Sequence, residues 1–259
     1  FHISSHERLF YRFVDWCDVR QFILPHERMI VMDERTREWA HHHFRKHALI
    51  VRSGLDASRF PYLARGPLDV SGVKILAGGI FFTHRRYEDI IRAVSLLKSS
   101  GFPGIRLSIF GDYAAPPYRA YHTELVHLVA ALKLEDAVSF LGKVSEEELL
   151  SLYHSHDIYV SANHLQSWGL AAFEAMSCGL PVIVSKSAGA SEVLTDGQNA
   201  LLVEPCSAQG IAQKIRELIE EPDHYRALSE KGGILVRQNI SWDKTAESLE
   251  KIFKEIVKR

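Results

Sequence analysis

The sequence contains few cysteines, no long hydrophobic run and no excess of either charge. Its three cysteines, Cys17, Cys178 and Cys206, are odd in number and widely spaced, which argues against a disulfide framework and favours a reducing compartment. No apolar stretch approaches the roughly 18 residues of a membrane-spanning helix. The formal net charge of −1 excludes a general basic surface for nucleic acids, so phosphate binding must come from local groups.

The start of the chain lacks two common features. It begins with Phe1 instead of Met, and it shows no signal-peptide pattern. We therefore expect a fragment, or a chain whose start is not retained. With 259 residues, of which 46% are hydrophobic and 24% charged, the chain has an ordinary globular composition and can form one large domain or two small ones.

From Val73 onward, short apolar segments alternate with amphipathic ones. This alternation predicts an α/β fold with a doubly wound, Rossmann-like parallel sheet that is covered by helices on both faces. Such sheets bind ligands at the carboxyl ends of their strands. The predicted strands are 73–77, 105–110, 137–141, 157–160, 181–184 and 200–203.

Several helix boundaries can also be predicted from local sequence. Ser145 followed by Glu148 is a capping box for a helix that reaches about Tyr153. Ser241 can cap a last amphipathic helix. A further helix is predicted from the apolar stripe of Ile90, Ile91, Val94 and Leu97.

The segment SANHLQSWGLAAFEAMSCGLP (161–181) is the most informative of the chain. It reads as a strand end, a loop and a helix that begins at Gly169 and Leu170 and stops at Gly179. Free N–H groups and the positive dipole end at such a helix start can bind phosphate. Glu174, inside the helix, can then accept hydrogen bonds from a sugar hydroxyl.

This segment closely resembles the signature of the retaining, nucleotide-sugar-dependent glycosyltransferases of the GT-B fold (family 4-like, glycosyl transferases group 1). That signature is written as Glu, seven residues, Glu, followed by A-M-A-C-G-x-P. Here the second Glu is Glu174 and the tail is AMSCGLP, whereas Gln166 replaces the first Glu. The resemblance implies that Glu174 holds the ribose and that position 166 contacts the donor sugar. Gln166 can still form hydrogen bonds, but it carries no charge.

Five further motifs extend the resemblance over residues 30 to 259, in the family's order. LAGGIFFTHRRYEDIIRAV (76–94) resembles the first strand, diphosphate loop and helix, usually G-R-L-x-x-x-K-G. Gly79 stands where the family's Arg is customary, and Arg85 and Arg86 are the basic residues of the loop. We expect one of them, with Arg85 the better match in register, to bind the diphosphate. The other motifs are VRSGLDASRFPY (51–62), SIFGDY (108–113), VSFLGKVSEEELLSLYHSHDIYVS (138–161) and SAGASEVLTDGQNALLVEP (187–205).

The resemblance implies the C-terminal domain of a GT-B enzyme together with part of its N-terminal domain. Residues 73–240 would form the nucleotide-sugar donor-binding domain, preceded by a linker at 51–72 and followed by a C-terminal helix at 241–259. Residues 1–50 would be a remnant of the N-terminal, acceptor-binding domain. Within them, MIVMDERTREWAHHHF (29–44) resembles that domain's closing strand and helix, and residues 2–22 show a partial helical repeat.

The implied function is transfer of a sugar from a UDP- or GDP-linked donor to a hydroxyl acceptor, with retention, in glycan, polysaccharide or glycolipid synthesis. Arg85, Gln166 and Glu174 would be the catalytic residues. Arg85 and the amides at the helix start would stabilise the diphosphate in place of a metal, and the backbone of Leu141–Lys143 would read the base. The donor site would be lined by Gly78, Gly79, Arg86, Leu141, Gly142, Lys143, Ser167, Trp168, Gly169 and Leu170.

The same resemblance predicts no cofactor and no metal, because the nucleotide sugar is a substrate. The acceptor would be a glycan, a lipid-linked sugar or a small molecule, and nucleic acid would not be a partner. The expected location is the cytoplasm, and peripheral association with the inner face of the membrane is compatible with this expectation.

Some features keep a structural interpretation. Trp168 is better explained by packing than by stacking on a ligand, and Glu192 can line the site or pair structurally. His41, His42 and His43 point about 100° apart on a helix and cannot easily share a metal ion.

Two other functions stay open. One is a non-catalytic glycosyltransferase-like subunit, and the other is another GT-B enzyme such as a nucleotide-sugar epimerase. A dehydrogenase is disfavoured because no G-x-G-x-x-G follows the first strand.

Overall fold

A computed structural model describes residues 28–257, and the chain divides into two compact units, Phe1–Arg52 and Ser53–Arg259. The partial helical repeat predicted for residues 2–22 lies outside the described residues. Each unit has its own parallel strand pairing and its own buried apolar residues.

The described part of the first unit is a small β-α-β arrangement with two parallel strands. Asp33 caps the helix, since its Oδ1 accepts a hydrogen bond of 2.6 Å from the amide of Thr36. Val31, Ala40 and Ala48 are buried together. The strand and helix predicted for residues 29–44 are confirmed. The elements are β1 (Arg28–Val31), α1 (Glu34–Phe44) and β2 (His47–Ile50).

The second unit is built around a parallel sheet of six strands in the order β5-β4-β3-β6-β7-β8. The direction of strand addition reverses between β3 and β6, which makes their carboxyl ends the switch point where doubly wound sheets bind ligands. Each predicted strand is confirmed to within one residue. The strands are β3 (Lys74–Gly78), β4 (Arg106–Phe110), β5 (Val138–Gly142), β6 (Ile158–Ser161), β7 (Val182–Ser185) and β8 (Leu201–Val203).

Helices cover both faces of this sheet. Alternate residues of β3 supply the two cores, with Ile75 and Ala77 in one and Leu76 in the other. The first core packs against α2, α3 and α6, and the second against α4, α5 and α7, as a doubly wound sheet requires. These helices are α2 (Tyr87–Ser99), α3 (Pro116–Ala131), α4 (Glu146–Ser155), α5 (Leu170–Ser177), α6 (Ala208–Glu220) and α7 (Pro222–Asn239).

Two predicted helix boundaries are confirmed. Ser145 and Glu148 form both hydrogen bonds of the capping box at the start of α4. Gly179 follows α5 with φ 86°, a left-handed conformation that only glycine adopts without strain.

The last helix differs from the others because its apolar stripe is exposed. Ser241 Oγ accepts a hydrogen bond of 3.3 Å from the amide of Lys244 at the start of α8 (Trp242–Val257). Trp242 and Phe253 are 55% and 57% exposed, although the sequence places them on one face with the periodicity of a buried stripe.

Candidate active site

The candidate site lies where β3 and β6 end side by side. The loop after β3 (79–86) and the loop after β6 (162–169) both leave the sheet at this switch point. They are joined by a hydrogen bond of 2.7 Å from the amide of His164 to the carbonyl of His84. The two segments that the sequence assigns to the diphosphate and to the sugar are therefore held together.

Two glycines let these loops approach closely. A side chain on Gly78 would overlap the ring of Phe110. Gly79 has φ 128°, and a Cβ added there would lie 2.8 Å from Cζ of Arg85. The guanidinium of Arg85 thus occupies the space next to Gly79, the position at which the family customarily has its own arginine.

Arg85 is half-buried and its guanidinium is not engaged by the described chain. Its Nε is buried and has no hydrogen-bond partner among residues 28–257, and it forms no ion pair there. Its positive charge acts on two buried tyrosines: burial raises the pKa of Tyr87 and of Tyr159, and Arg85 opposes both shifts. The arrangement leaves a cation able to bind an anion at the switch point.

Arg86, the second predicted phosphate cation, is used structurally. Its Nε donates a hydrogen bond of 2.9 Å to Asp89, and its NH1 lies 2.7 Å from Glu88. The hydrogen bond to Asp89 raises the pKa of Arg86. Since both acidic partners belong to the first turn of α2, Arg86 is held there, and its contact with a donor stays a prediction.

The start of α5 is open to an anion. Gly169 has φ 89° at the N-cap and provides no side chain to cap the helix, which leaves the first amides, including that of Leu170, without an intrahelical acceptor. Ser167, just before it, is exposed. Trp168 is only 3% exposed, and its Nε1 donates a hydrogen bond of 3.0 Å to the carbonyl of Ser53. Trp168 therefore packs inside the protein, as the sequence suggests, and its place among the donor-lining residues stays a prediction.

Gln166 lies in the loop after β6, four residues before the start of α5. Its side-chain Oε1 accepts a hydrogen bond from Nδ2 of Asn163, and its backbone carbonyl accepts one of 2.8 Å from Gly189. A Cβ added to Gly169 would lie 2.9 Å from this Oε1. The structure therefore brings Gln166 to the N-terminus of α5, as the spacing in the sequence predicts.

Glu174 lies one turn further along α5. The hydroxyl of Tyr153 donates a hydrogen bond of 2.8 Å to its Oε2. Burial raises the pKa of Glu174, and this hydrogen bond opposes the shift. Glu174 lines a cavity of 460 Å³, where an ion pair between Arg59 and Glu146 also lies.

The predicted base-reading segment is at the carboxyl end of β5. Leu141 is 39% exposed and Lys143 is exposed, and Gly142 has φ 76°. The carbonyl of Gly142 accepts a hydrogen bond of 2.8 Å from the amide of Gly111, which joins β5 to the turn after β4. Contact of this segment with a base stays a prediction.

Three residues near the site were not predicted from the sequence. Asn163 and Tyr153 orient Gln166 and Glu174, but no local motif marks them. Arg59 lies in the motif VRSGLDASRFPY and lines the same cavity as Glu174. Glu192 is exposed.

Two remaining features bear on metals and membranes. His41, His42 and His43 are exposed on α1, and residues 28–257 hold no group of three metal-ligating side chains. Across the same residues, no helix is both long and apolar enough to cross a membrane.

The described fold is an α/β domain with a Rossmann-like sheet, and the cation and the open helix start at its switch point are complementary to an anionic ligand. Residues 66–235 match the family model described as glycosyl transferases group 1, so the chain belongs to this family.

Three known proteins illustrate the relationship. The glycogen synthase of Mycobacterium tuberculosis is 27% identical over 194 residues, which are 75% of this chain and 44% of the relative. The C-terminal domain of the group 1 glycosyl transferase LpcC from Francisella tularensis is 28% identical, with a TM-score of 0.64 over 73% of this chain and all of that domain. Anabaena HepE in complex with UDP-glucose shares the fold, with a TM-score of 0.77 at 19% identity over 100% of this chain and 69% of HepE. The chain spans less than half the length of the first curated relatives it matches. Its Rossmann-like topology is that of GT-B glycosyltransferases.

Proposed function

We propose that this chain is the donor-binding part of a retaining, metal-independent glycosyltransferase that transfers a sugar from a UDP- or GDP-linked donor to a hydroxyl acceptor. The observation that carries the proposal is the unpartnered, buried Nε of Arg85, in a loop that is bonded to the loop leading into α5. A guanidinium and an open helix N-terminus are both complementary to a diphosphate.

Each remaining group has a role in this proposal. Arg85 and the amide of Leu170 stabilise the diphosphate as the bond to the sugar breaks and negative charge develops. Glu174 accepts hydrogen bonds from the ribose, and Leu141–Lys143 read the base through the backbone. Gln166 contacts the donor sugar.

The nucleotide-sugar donor has support from outside the chain. HepE, which shares the fold, is known in complex with UDP, with UDP and glucose, and with UDP-glucose. Glycogen synthase and mannosylfructose-phosphate synthase are among the curated relatives. Metal independence is proposed because the sequence has no Asp-x-Asp motif near the phosphates, while Arg85 and the helix start already provide positive potential.

The proposal is tested by calorimetry of the 259-residue chain with UDP, GDP and ADP, each in EDTA and in magnesium. We expect one nucleoside diphosphate to bind equally well in both. Absence of binding by all three would refute donor binding, and binding that vanishes in EDTA would refute metal independence alone.

A non-catalytic, binding-only subunit is the competing function, favoured by the departures from the family pattern at Gly79 and Gln166. The two functions differ in the full-length protein. For an enzyme, Gln166→Ala slows transfer and barely changes affinity for the bare diphosphate, which has no sugar to contact. If the natural protein transfers no sugar from any donor while Gln166→Glu gains transfer, the binding-only subunit is the better description. An epimerase would convert a free nucleotide sugar without an acceptor.

A further inference from the structure

The loop between β6 and α5 contains a buried amide that bonds to Gln166. Asn163 is 6% exposed, and its Nδ2 donates one hydrogen bond of 2.7 Å to Ser161 Oγ and another to Gln166 Oε1. Both protons of the Asn163 amide are thereby used. The side-chain carbonyl of Gln166 therefore already accepts a hydrogen bond from a buried residue of the protein.

The backbone and the amide group of Gln166 also have defined neighbours. Its backbone carbonyl is bonded to the amide of Gly189, and its amide group packs over Gly169, which has no side chain to displace it. Among residues 28–257, nothing accepts a hydrogen bond from its Nε2. The polar group that remains available at this position is therefore the NH2, a donor.

We infer that Asn163 is a positioning residue that fixes the Gln166 amide so that it donates hydrogen bonds to the transferred sugar. This inference rests on the proposed function. A carboxylate at position 166 can only accept, so it requires a proton from a sugar hydroxyl. The natural Gln166 reverses the direction of that hydrogen bond and requires an acceptor on the sugar.

The reversal defines the class of sugar substituent that fits. A group that accepts but has no proton, such as fluorine or a carboxylate, is compatible with the Gln166 NH2. The same group would be repelled by a negative carboxylate at position 166. The site thus selects sugars by the acceptor that they offer at the contacted position.

Gln166→Glu is a nearly isosteric test. One oxygen of the new carboxylate can still accept from Asn163, while the outward group changes from a donor to a negatively charged acceptor. The probes are UDP, GDP, UDP-glucose, GDP-mannose and the monodeoxyfluoro analogues of the tighter-binding nucleotide sugar. In the natural protein we expect the sugar to add about fivefold to the affinity of the bare diphosphate, and no fluorine substitution to remove that gain. In Gln166→Glu one fluorine position should weaken binding by about tenfold.

Asn163→Asp tests the positioning role without touching Gln166. The new carboxylate cannot donate a hydrogen bond to Gln166 Oε1, but it can accept one from Gln166 Nε2. We therefore expect the Gln166 amide to rotate by about 180°, which directs its carbonyl towards the sugar. This variant should therefore become sensitive to the same fluorine position as Gln166→Glu. A merely structural role of Asn163 would lower affinity for every sugar equally and would not change this preference.

Matched controls separate these effects from those of charge. Asn199→Asp makes the same replacement in the loop before β8, where Asn199 Oδ1 accepts from the amide of Thr195. Gln213→Glu repeats the replacement of an amide by a carboxylate that is made at position 166, but on the exposed surface of α6. Both controls should retain the tolerance of the natural protein for fluorine.

The outcomes are distinguishable from those for the proposed function. If the bare diphosphate does not bind, the proposed function fails and this inference fails with it. If the diphosphate binds but the sugar adds nothing, or if fluorine tolerance is the same in the natural protein and Gln166→Glu, only this inference is overturned. Should Asn163→Asp fail to fold, the Gln166→Glu comparison still decides the direction of the hydrogen bond.

Discussion

Two half-buried arginines of the second unit, Arg65 and Arg85, use their guanidinium groups in opposite ways. All five N–H groups of Arg65 donate to backbone carbonyls, whereas the described chain leaves the Nε of Arg85 without an acceptor. The comparison shows which cation holds the fold together and which is available to a ligand. The acceptors of Arg65 are the carbonyls of Tyr153, His154, His156, Cys178 and Gly179, at 2.8–3.2 Å.

The surroundings of the two arginines explain the difference. The carbonyls around Arg65 lie at the C-terminal ends of α4 and α5, where the helix dipole is negative and the last carbonyls lack intrahelical donors. Arg85 belongs to a loop bonded to the one that leads into the N-terminus of α5, where the dipole is positive. The negative potential at the first place already stabilises a cation, whereas at the second an anionic ligand would be needed to stabilise one.

The largest expected effect comes from removing Arg65. Arg65→Ala removes five hydrogen bonds to backbone carbonyls, of which those of Cys178 and Gly179 keep a second donor in Leu63 and Ser229. We expect the free energy of unfolding to fall by about 4 kcal/mol. Arg65→Lys should recover little of this, because one ammonium cannot reach five acceptors. Urea denaturation followed by circular dichroism measures the change. A loss below about 1 kcal/mol would mean that water replaces Arg65 at these carbonyls.

Removing Arg85 should have the converse effect. Arg85→Ala deletes a charge-assisted contact to the diphosphate, and we expect affinity for the nucleoside diphosphate to fall by about 3 kcal/mol with unfolding unchanged. Calorimetry and denaturation of the same variant give both values. Arg86→Ala is the matched control, since Arg86 is paired with Glu88 and Asp89. It should leave binding nearly unchanged, and a larger loss there than for Arg85→Ala would contradict our assignment.

Glu174 tests whether binding and structure can be separated within α5. Glu174→Ala should weaken nucleotide binding by about 2 kcal/mol and leave the fold intact. Glu174→Gln should cost less, because it still accepts from Tyr153. Titration calorimetry with circular dichroism distinguishes the two effects. An unchanged dissociation constant for the alanine variant would show that the carboxylate does not contact the ligand.

The sheet was predictable from sequence because each strand is a short apolar run between turn-forming residues. Gly169, Leu170 and Gly179 were likewise placed at the correct ends of α5 by local rules alone. These features depend on neighbouring residues, whose spacing the sequence states directly.

Long-range contacts were not predictable in the same way. The pairing of Arg86 is local, since Glu88 and Asp89 follow it by two and three residues, but the backbone conformation of the loop decides that these carboxylates pair with Arg86 and not with the adjacent Arg85. Arg65, in a segment predicted as a linker, contacts carbonyls about 90 and 114 positions away. Side chains that reach across the fold leave no periodic pattern in the sequence.

The smallest expected effect concerns acidification near Arg65. Burial lowers the pKa of His156, and Lys74 and Arg65 add to this shift while a hydrogen bond to the carbonyl of Leu152 and the charge of Asp157 oppose it. Because the folded-state pKa is below the unfolded value, the unfolded chain binds more protons, and stability should fall as the pH decreases below about 6.5.

A single proton changes stability by at most about 1.4 kcal/mol per pH unit. We expect His156→Gln to unfold with a shallower pH dependence than the natural protein between pH 7 and 5.5. Denaturation at three pH values measures both slopes, with Gln213→Ala, which replaces an exposed, uncharged side chain, as a variant whose slope should match the natural one. Equal slopes for His156→Gln and the natural protein would show that the pKa of His156 is the same in the folded and the unfolded chain. The region around Arg65 would then tolerate a second positive charge. The carbonyls of this region would provide more negative potential than the charge of Arg65 neutralises.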